Sequence, residues 1–406
     1  MRGLFVLFLA LSAGGACAAD PPPVDTAALV AANSHPFKLG DDGEISGDGA
    51  DFFLRAAANA QFVLFGETHH DYDTPRLARA MYQTLNRRYD FSTVVVEQDP
   101  QAVEAIAKPP LRGDVERIAG LSKQYPTHLG FSSDQDIEFL AAASRLGRVW
   151  GVEQAQGATR YLDELATLAR DAALKARVTA LRDEARGKEK RESPGAFLHD
   201  DATTLPRLEQ LRTDFRAKPG SRAAVLLDGL VGSALIYSYN RRAGEGEYVG
   251  LYNNTEREAL FKRNFVENYR NSQRGDKPLK AFFKFGSWHM YRGKSPGQAY
   301  TIGSFAHEFA IWNRSEAYGV LVLAYGGYTQ WDETEAWLKP LLPAKLPEQP
   351  VLIDLRALKR FGRPFREPVT AADQWELRDA LQGFDAIVIL PASHKATWNF
   401  TGFPVP

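Results

Sequence analysis

Two segments far apart in the chain run the same course. Phe62-Val-Leu-Phe-Gly66-Glu67-Thr68-His69 and Phe282-Phe-Lys-Phe-Gly286-Ser287-Trp288-His289 each carry an apolar stretch into a glycine, with a histidine three residues on. A glycine directly after a buried strand lets the backbone turn sharply. The histidine then stands at the carboxyl end of the strand, where open α/β sheets place their ligands. Two such ends in one sheet can deliver two imidazoles to one site.

The stretches Phe62–Phe65, Thr93–Val96, Arg148–Val152, Ala281–Phe285, Gly319–Ala324, Val351–Leu355 and Ala386–Leu390 all read as strands. Most are continuously apolar rather than alternating, which suits strands covered on both faces. Between the first two, Thr74 to Asn86 carries apolar residues at spacings of three and four, with Pro75 in the first turn behind Asp73 or Thr74 as cap. Strand, helix and strand at this spacing predict a βαβ unit, hence an α/β fold with a mostly parallel sheet.

From Thr159 to about Gly275 the sequence becomes charged, Ala- and Leu-rich and helical, with breaks at Pro194, Pro219 and Gly244-Glu-Gly246. This reads as a helical insertion between the third and fourth strands, leaving from the strand ends that carry the histidines and so placed to cap them. The expected division is residues 1–19 as a signal peptide, 20–60 as an N-terminal extension, 61–158 and 276–406 as the α/β core, and 159–275 as the insertion. The prolines from Pro340 to Pro350 exclude regular helix and mark a linker. Lys188-Glu-Lys-Arg-Glu192 alternates in sign and reads as a solvated helix face.

The start of the chain, Met1-Arg2 followed by an apolar run and the small-residue stretch Gly14 to Ala19, reads as a secretory signal peptide, which predicts an exported, periplasmic or secreted protein. No later stretch is long and apolar enough for a membrane span. Cys17, the single cysteine, lies in this segment and admits a second reading as the lipidated first residue of a lipoprotein, although Gly14 stands where Leu is usual. The 406 residues carry 49 Lys+Arg against 50 Asp+Glu, and no basic stretch is interleaved with aromatics, so nothing points to a nucleic-acid partner.

Glu67, His69 and His70 follow the first strand, and a carboxylate and an imidazole one residue apart on a turn can serve either as metal ligands or as an acid/base pair. Glu97 ends the second strand and Glu153 the third, so both acids converge on the crevice that holds His69. Buried there, they need cations, hydrogen bonds or a proton. Arg257 and Asn264 are two helical turns apart and share a face. An arginine reaching the pocket can bind a carboxylate or steady an oxyanion. His128, His199, His307 and His394 have no useful partner spacing. Neither a G-x-S-x-G elbow nor a zinc-binding H-E-x-x-H helix is present.

These residues resemble a superfamily that joins erythromycin esterases, ChaN-type haem-binding lipoproteins and the Tiki/TraB metalloproteases. The resemblance rests on Leu64-Phe65-Gly66-Glu67-Thr68-His69, on the strand-end Glu97 and on Gly286 to His289; the Arg257/Asn264 helix and Thr301 to Phe305 are similar to erythromycin-esterase-type sequences. It implies a three-layer α/β sandwich around a central, mostly parallel sheet, with the site at the strand ends. Its esterase branch implies His69 as general base, Glu67 and Glu97 orienting it or the water, and His289 and Arg257 on the substrate carbonyl or the oxyanion; His70, which departs from the family motif, and Glu153 are further candidates for substrate contact. Its protease branch implies instead a divalent metal on Glu67, His69 and His289. Its haem-binding branch implies haem on an axial residue such as His70. A hydrolase acting on an ester or amide is the leading expectation, and a haem or iron-ligand binding protein the alternative.

Overall fold

The computed structural model describes residues 25–40, 43–246, 252–359 and 371–400. The segment 1–19, with Cys17, lies outside the described residues. Eight strands form the main sheet: β1 (Ser34–Pro36), β2 (Ala60–Glu67), β3 (Phe91–Val96), β4 (Arg148–Gly151), β5 (Lys280–Gly286), β6 (Glu316–Ala324), β7 (Val351–Asp354) and β8 (Ala386–Leu390). Their order is β1-β7-β8-β6-β2-β5-β3-β4. Neighbours from β8 through to β4 pair in parallel, whereas β7 runs antiparallel to β8 and β1 antiparallel to β7. The stretch read as an N-terminal extension thus supplies the edge strand β1.

Helices cover both faces. Before the insertion come α1 (Asp73–Tyr89), α2 (Pro100–Ile106) and α3 (Asp134–Leu146). Alternation along β5 sorts its side chains: Phe282 packs with Leu77 and Met81 of α1 and Ile137 and Phe139 of α3, while Phe283 and Phe285 face the other way. All residues of β2 are buried, as a continuously apolar run predicts. The resulting helix–sheet–helix arrangement is the expected three-layer α/β sandwich.

Five long helices lie between β4 and β5: α4 (Thr159–Leu168), α5 (Ala172–Arg191), α6 (Asp201–Phe215), α7 (Arg222–Gly244) and α8 (Tyr252–Ser272). They stop near the predicted prolines and glycines. The first four bury a cluster of their own, with Leu162, Leu165, Val178, Leu208 and Leu227 at its centre. In contrast, α8 packs Phe261, Phe265 and Tyr269 on the sheet against Phe62 and Phe283, beside α9 (Ile302–Trp312). Burial of a phenylalanine of this kind contributes about 1.5–3 kcal/mol, which fixes α8 to the strands rather than to its sequence neighbours.

Two local expectations are corrected. Asp73 is not the cap of α1: Tyr72 occupies that place without a side-chain bond, and Asp73 lies in the first turn, where its Oδ1 accepts from Arg76 Nη1 at 2.6 Å. The 188–192 stretch is not wholly solvated. Glu189 turns inward and accepts from Ala158 N at 2.6 Å, Thr159 Oγ1 at 2.6 Å and Thr127 Oγ1 at 3.0 Å. A carboxylate at the start of α4 satisfies amides that have no partner within the helix.

Candidate active site

Chain order and strand order differ at one place that matters. The chain passes from β2 through α1 to β3, but β5 arrives after the insertion and wedges between them, pairing Gly286 with Glu67 and Lys284 with Val96. The ends of β2, β5, β3 and β4 therefore lie side by side, and Glu67, Gly286, Glu97 and Glu153 project from one row.

On the β2 side, His69 Nδ1 is 3.2 Å from Glu67 Oε1, and Lys284 Nζ reaches the same oxygen at 2.7 Å and Asp136 Oδ1 at 2.9 Å. Lys284 is buried. Burial opposes its charge, but Asp136 and Glu67 outweigh that and raise its pKa. The buried lysine ties Glu67 to Asp136, and Glu67 in turn fixes His69: with Nδ1–H donated to it, Nε2 carries the lone pair. Burial also works against a charged His69, yet the bond to Glu67 and the charge of Glu97 raise its pKa overall. The ring stacks on Phe131 with centroids 4.1 Å apart, and the side chain remains 28% exposed.

Glu97 joins this group to the next. Its Oε2 accepts the Gly286 amide at 2.8 Å and lies 3.8 Å from His69 Nε2; its Oε1 accepts from Arg257 Nη2 at 2.8 Å and is 3.2 Å from His289 Nε2. Burial alone would raise the Glu97 pKa, but His289 and Arg257 hold it well below the usual carboxylate range. Arg257 also bonds Glu153 through both Nε and Nη2, and Asn264 on the same helix face donates to Val152 O at 3.0 Å, securing α8 to the end of β4. Burial raises the Glu153 pKa despite the guanidinium.

His289 is held at both nitrogens, by Glu258 Oε1 on Nδ1 at 2.6 Å and by Glu97 on Nε2. Burial lowers its pKa, but Glu97 and Glu258 prevail and push it up to about 10. It is an imidazolium at neutral pH. Its Nε2–H then belongs to Glu97, and Arg257 Nη1 lies 3.2 Å from the same nitrogen.

The structure thus assembles Glu67, His69, Glu97, Glu153, Arg257 and His289 into one charged row, with His70 on its flank. Burial and the charge of His69 lower the His70 pKa. Sequence reading missed Lys284, Asp136 and Glu258. A signal existed for the first, since a lone lysine in Ala281–Phe285 demands a buried acid; none marks the other two.

A divalent metal on Glu67, His69 and His289 does not fit. Among the described residues no three His, Cys, Asp or Glu side chains stand where one ion could be held. One oxygen of Glu67 already accepts from Lys284, and both nitrogens of His289 face carboxylates. His128 and His307 are structural, accepting from Arg160 and Arg292 respectively.

No family model and no curated protein matches the sequence. Solved structures do match. An erythromycin esterase, EreC, is 13% identical and aligns over 89% of this chain and 98% of its own with a TM-score of 0.55. The chain has the erythromycin-esterase fold. A Bacillus cereus protein aligns as well, at 12% identity and a TM-score of 0.54 over 92% of this chain and 99% of its own. The haem-binding ChaN of Campylobacter jejuni is 9% identical and aligns over 73% of this chain and 93% of its own, and its TM-score of 0.31 carries no argument. At such identities the likeness shows the fold alone and leaves the site and its chemistry to the residues.

Proposed function

We propose that this protein is an exported hydrolase that attacks an ester or amide carbonyl with water activated at His69. The observation that carries the reading is the contrast between the two imidazoles. His289 has a carboxylate on each nitrogen within 3.2 Å, whereas His69 has a carboxylate at 3.2 Å on Nδ1 only, Glu97 standing 3.8 Å from its Nε2, and its side chain is 28% exposed.

In this mechanism Nε2 takes a proton from a water that Glu97 Oε2 helps to hold. The hydroxide adds to the carbonyl carbon, and the charge on the carbonyl oxygen falls beside Arg257 and His289, which are preorganised and need no rearrangement. The imidazolium of His69, stabilised by Glu67, then returns its proton to the leaving alkoxide or amine. Export rests on the signal-like segment 1–19.

Replacement of His69 by Ala is expected to lower kcat on simple esters by roughly 10²–10⁴-fold, the usual contribution of a general base, with an unchanged thermal transition. A His69→Ala protein that retained wild-type turnover would remove the basis of the assignment.

A further inference from the structure

Between α8 and α9 the surface opens into a groove of about 510 Å³. The two helices run side by side in the same direction. Near their starts Ile302 N donates to Glu258 Oε2 at 2.6 Å, and near their ends Asn313 Nδ2 donates to Tyr269 Oη at 3.3 Å. One bank is a stripe of α8, with Lys262, Arg263, Val266, Glu267 and Arg270 at spacings of three and four, and Phe305 of α9 lines the other. The α8 bank is cationic. Arg263 and Arg270 are exposed and have no ion pair or side-chain hydrogen bond among the described residues. Lys262 Nζ is tied to Tyr300 O, and burial outweighs Glu258 and Glu308 to lower its pKa. Against these three cations the lining sets one acid, Glu267.

The α9 bank is apolar. Half-buried Phe305 is continued along the helix by Phe309 and Trp312, with successive ring centroids 5.6 Å apart. Ile311 and Trp312, where this line ends, are 70% and 76% exposed. Contiguous apolar surface left in water beside a cleft marks a binding site more often than scattered single residues do. A ligand that satisfies both banks carries an anion on one side and an apolar body on the other. Inorganic phosphate would leave the rings wet, and a neutral lipid would leave two guanidinium groups unpaired. Guanidinium favours carboxylate and phosphate, which it can bind through two parallel bonds. The groove also falls within the size of small-molecule sites, roughly 300–1,000 Å³.

We infer that the groove between α8 and α9 binds a single-chain anionic amphiphile, its carboxylate or phosphate at Arg263 and Arg270 and its alkyl chain along Phe305, Phe309 and Trp312. This does not depend on the hydrolase reading: Arg257 and Glu258 serve the charged row, and the groove lines the turns of α8 that follow them. The test uses 11-(dansylamino)undecanoate, whose fluorescence rises when its chain leaves water. It should bind saturably, at one site per chain. The double variant Arg263→Gln/Arg270→Gln should weaken binding tenfold or more, as the loss of charge-assisted pairs requires. Val266→Glu, which puts a second acid on the lining, should do the same, and both should keep the parent's thermal transition.

Dodecanoate and dodecyl phosphate should each displace the probe, the stronger of the two identifying the preferred headgroup, whereas dodecanol should not. Absence of saturable binding would overturn the inference. So would equal affinity in the parent and the double variant, or displacement by dodecanol as strong as by dodecanoate. Phosphatidylglycerol vesicles supply the last arm: association with them, without any binding of the monomeric probe, would give this face to a membrane surface and also overturn the site.

Discussion

Lys284 ties together the acids on the β2 side of the site. Its ammonium is buried between Glu67 and Asp136, an arrangement that returns its desolvation cost only while all three groups are present. Lys284→Met should destabilise the protein by about 3–5 kcal/mol, because two carboxylates are left buried without a cation; urea denaturation measures this, and a loss under 1 kcal/mol would contradict the account. Glu67 acts next in line. A general base works only when unprotonated, so the rate should rise with pH through the His69 pKa, which Glu67 raises by its bond and charge. Glu67→Gln removes that charge and should move the rising limb of the kcat/KM profile to lower pH. A limb that stays in place or moves up would show that His69 is not the titrating base.

At the scale of elements, one glycine holds two strand ends in contact. A Cβ on Gly286 would lie 2.7 Å from His69 Nε2 and 3.4 Å from Glu97 Oε2. Both are tips of side chains rather than backbone, so Gly286→Ala can be relieved by a small rotation of His69. The fold should tolerate it, with a change in melting temperature of a few degrees, while kcat falls on the order of 10²-fold through the misplaced base. An unaltered kcat would mean that His69 Nε2 does not work at the position described. The same strand end explains the partial legibility of the site. Gly-x-x-His located His69 and His289, and strand-end acids located Glu97 and Glu153, because these are properties of single segments. Glu258 was invisible because its role, bonding His289 and the Ile302 amide at the start of α9, exists only once α8, α9 and β5 have met.

Across the whole molecule, the seam between the sheet and the inserted helices carries a second buried acid. Asp99 follows β3 and caps α2, accepting from Gln101 N at 2.6 Å and from Tyr161 of α4 at 2.8 Å. Burial outweighs these bonds and raises its pKa to about 7. Relative to an unfolded value near 4, the shift corresponds to on the order of 4 kcal/mol. The native state binds the extra proton, so stability is lost as pH climbs from about 4 to 7 and stays lost above it. Asp99→Asn should flatten this slope, being more stable than the parent at pH 8 and closely similar at pH 4.5. Equal differences at the two pH values would refute the assignment.

What the sequence by itself determined is the class of fold and the ends of its strands. Continuous apolar runs, glycine turns and proline breaks act within a few residues of themselves, and such local preferences survive in any tertiary setting. Tertiary structure decided which ends became neighbours. It inserted β5 between β2 and β3, laid α8 on the sheet, and so placed Lys284 against Glu67 and Asp136, and Arg257 against Glu97 and Glu153. Charge pairs of this kind depend on distances between segments remote in sequence and on the low dielectric that burial creates. Neither exists before the layers close, which is why His69 could be found in the chain and its charged partners only in the fold.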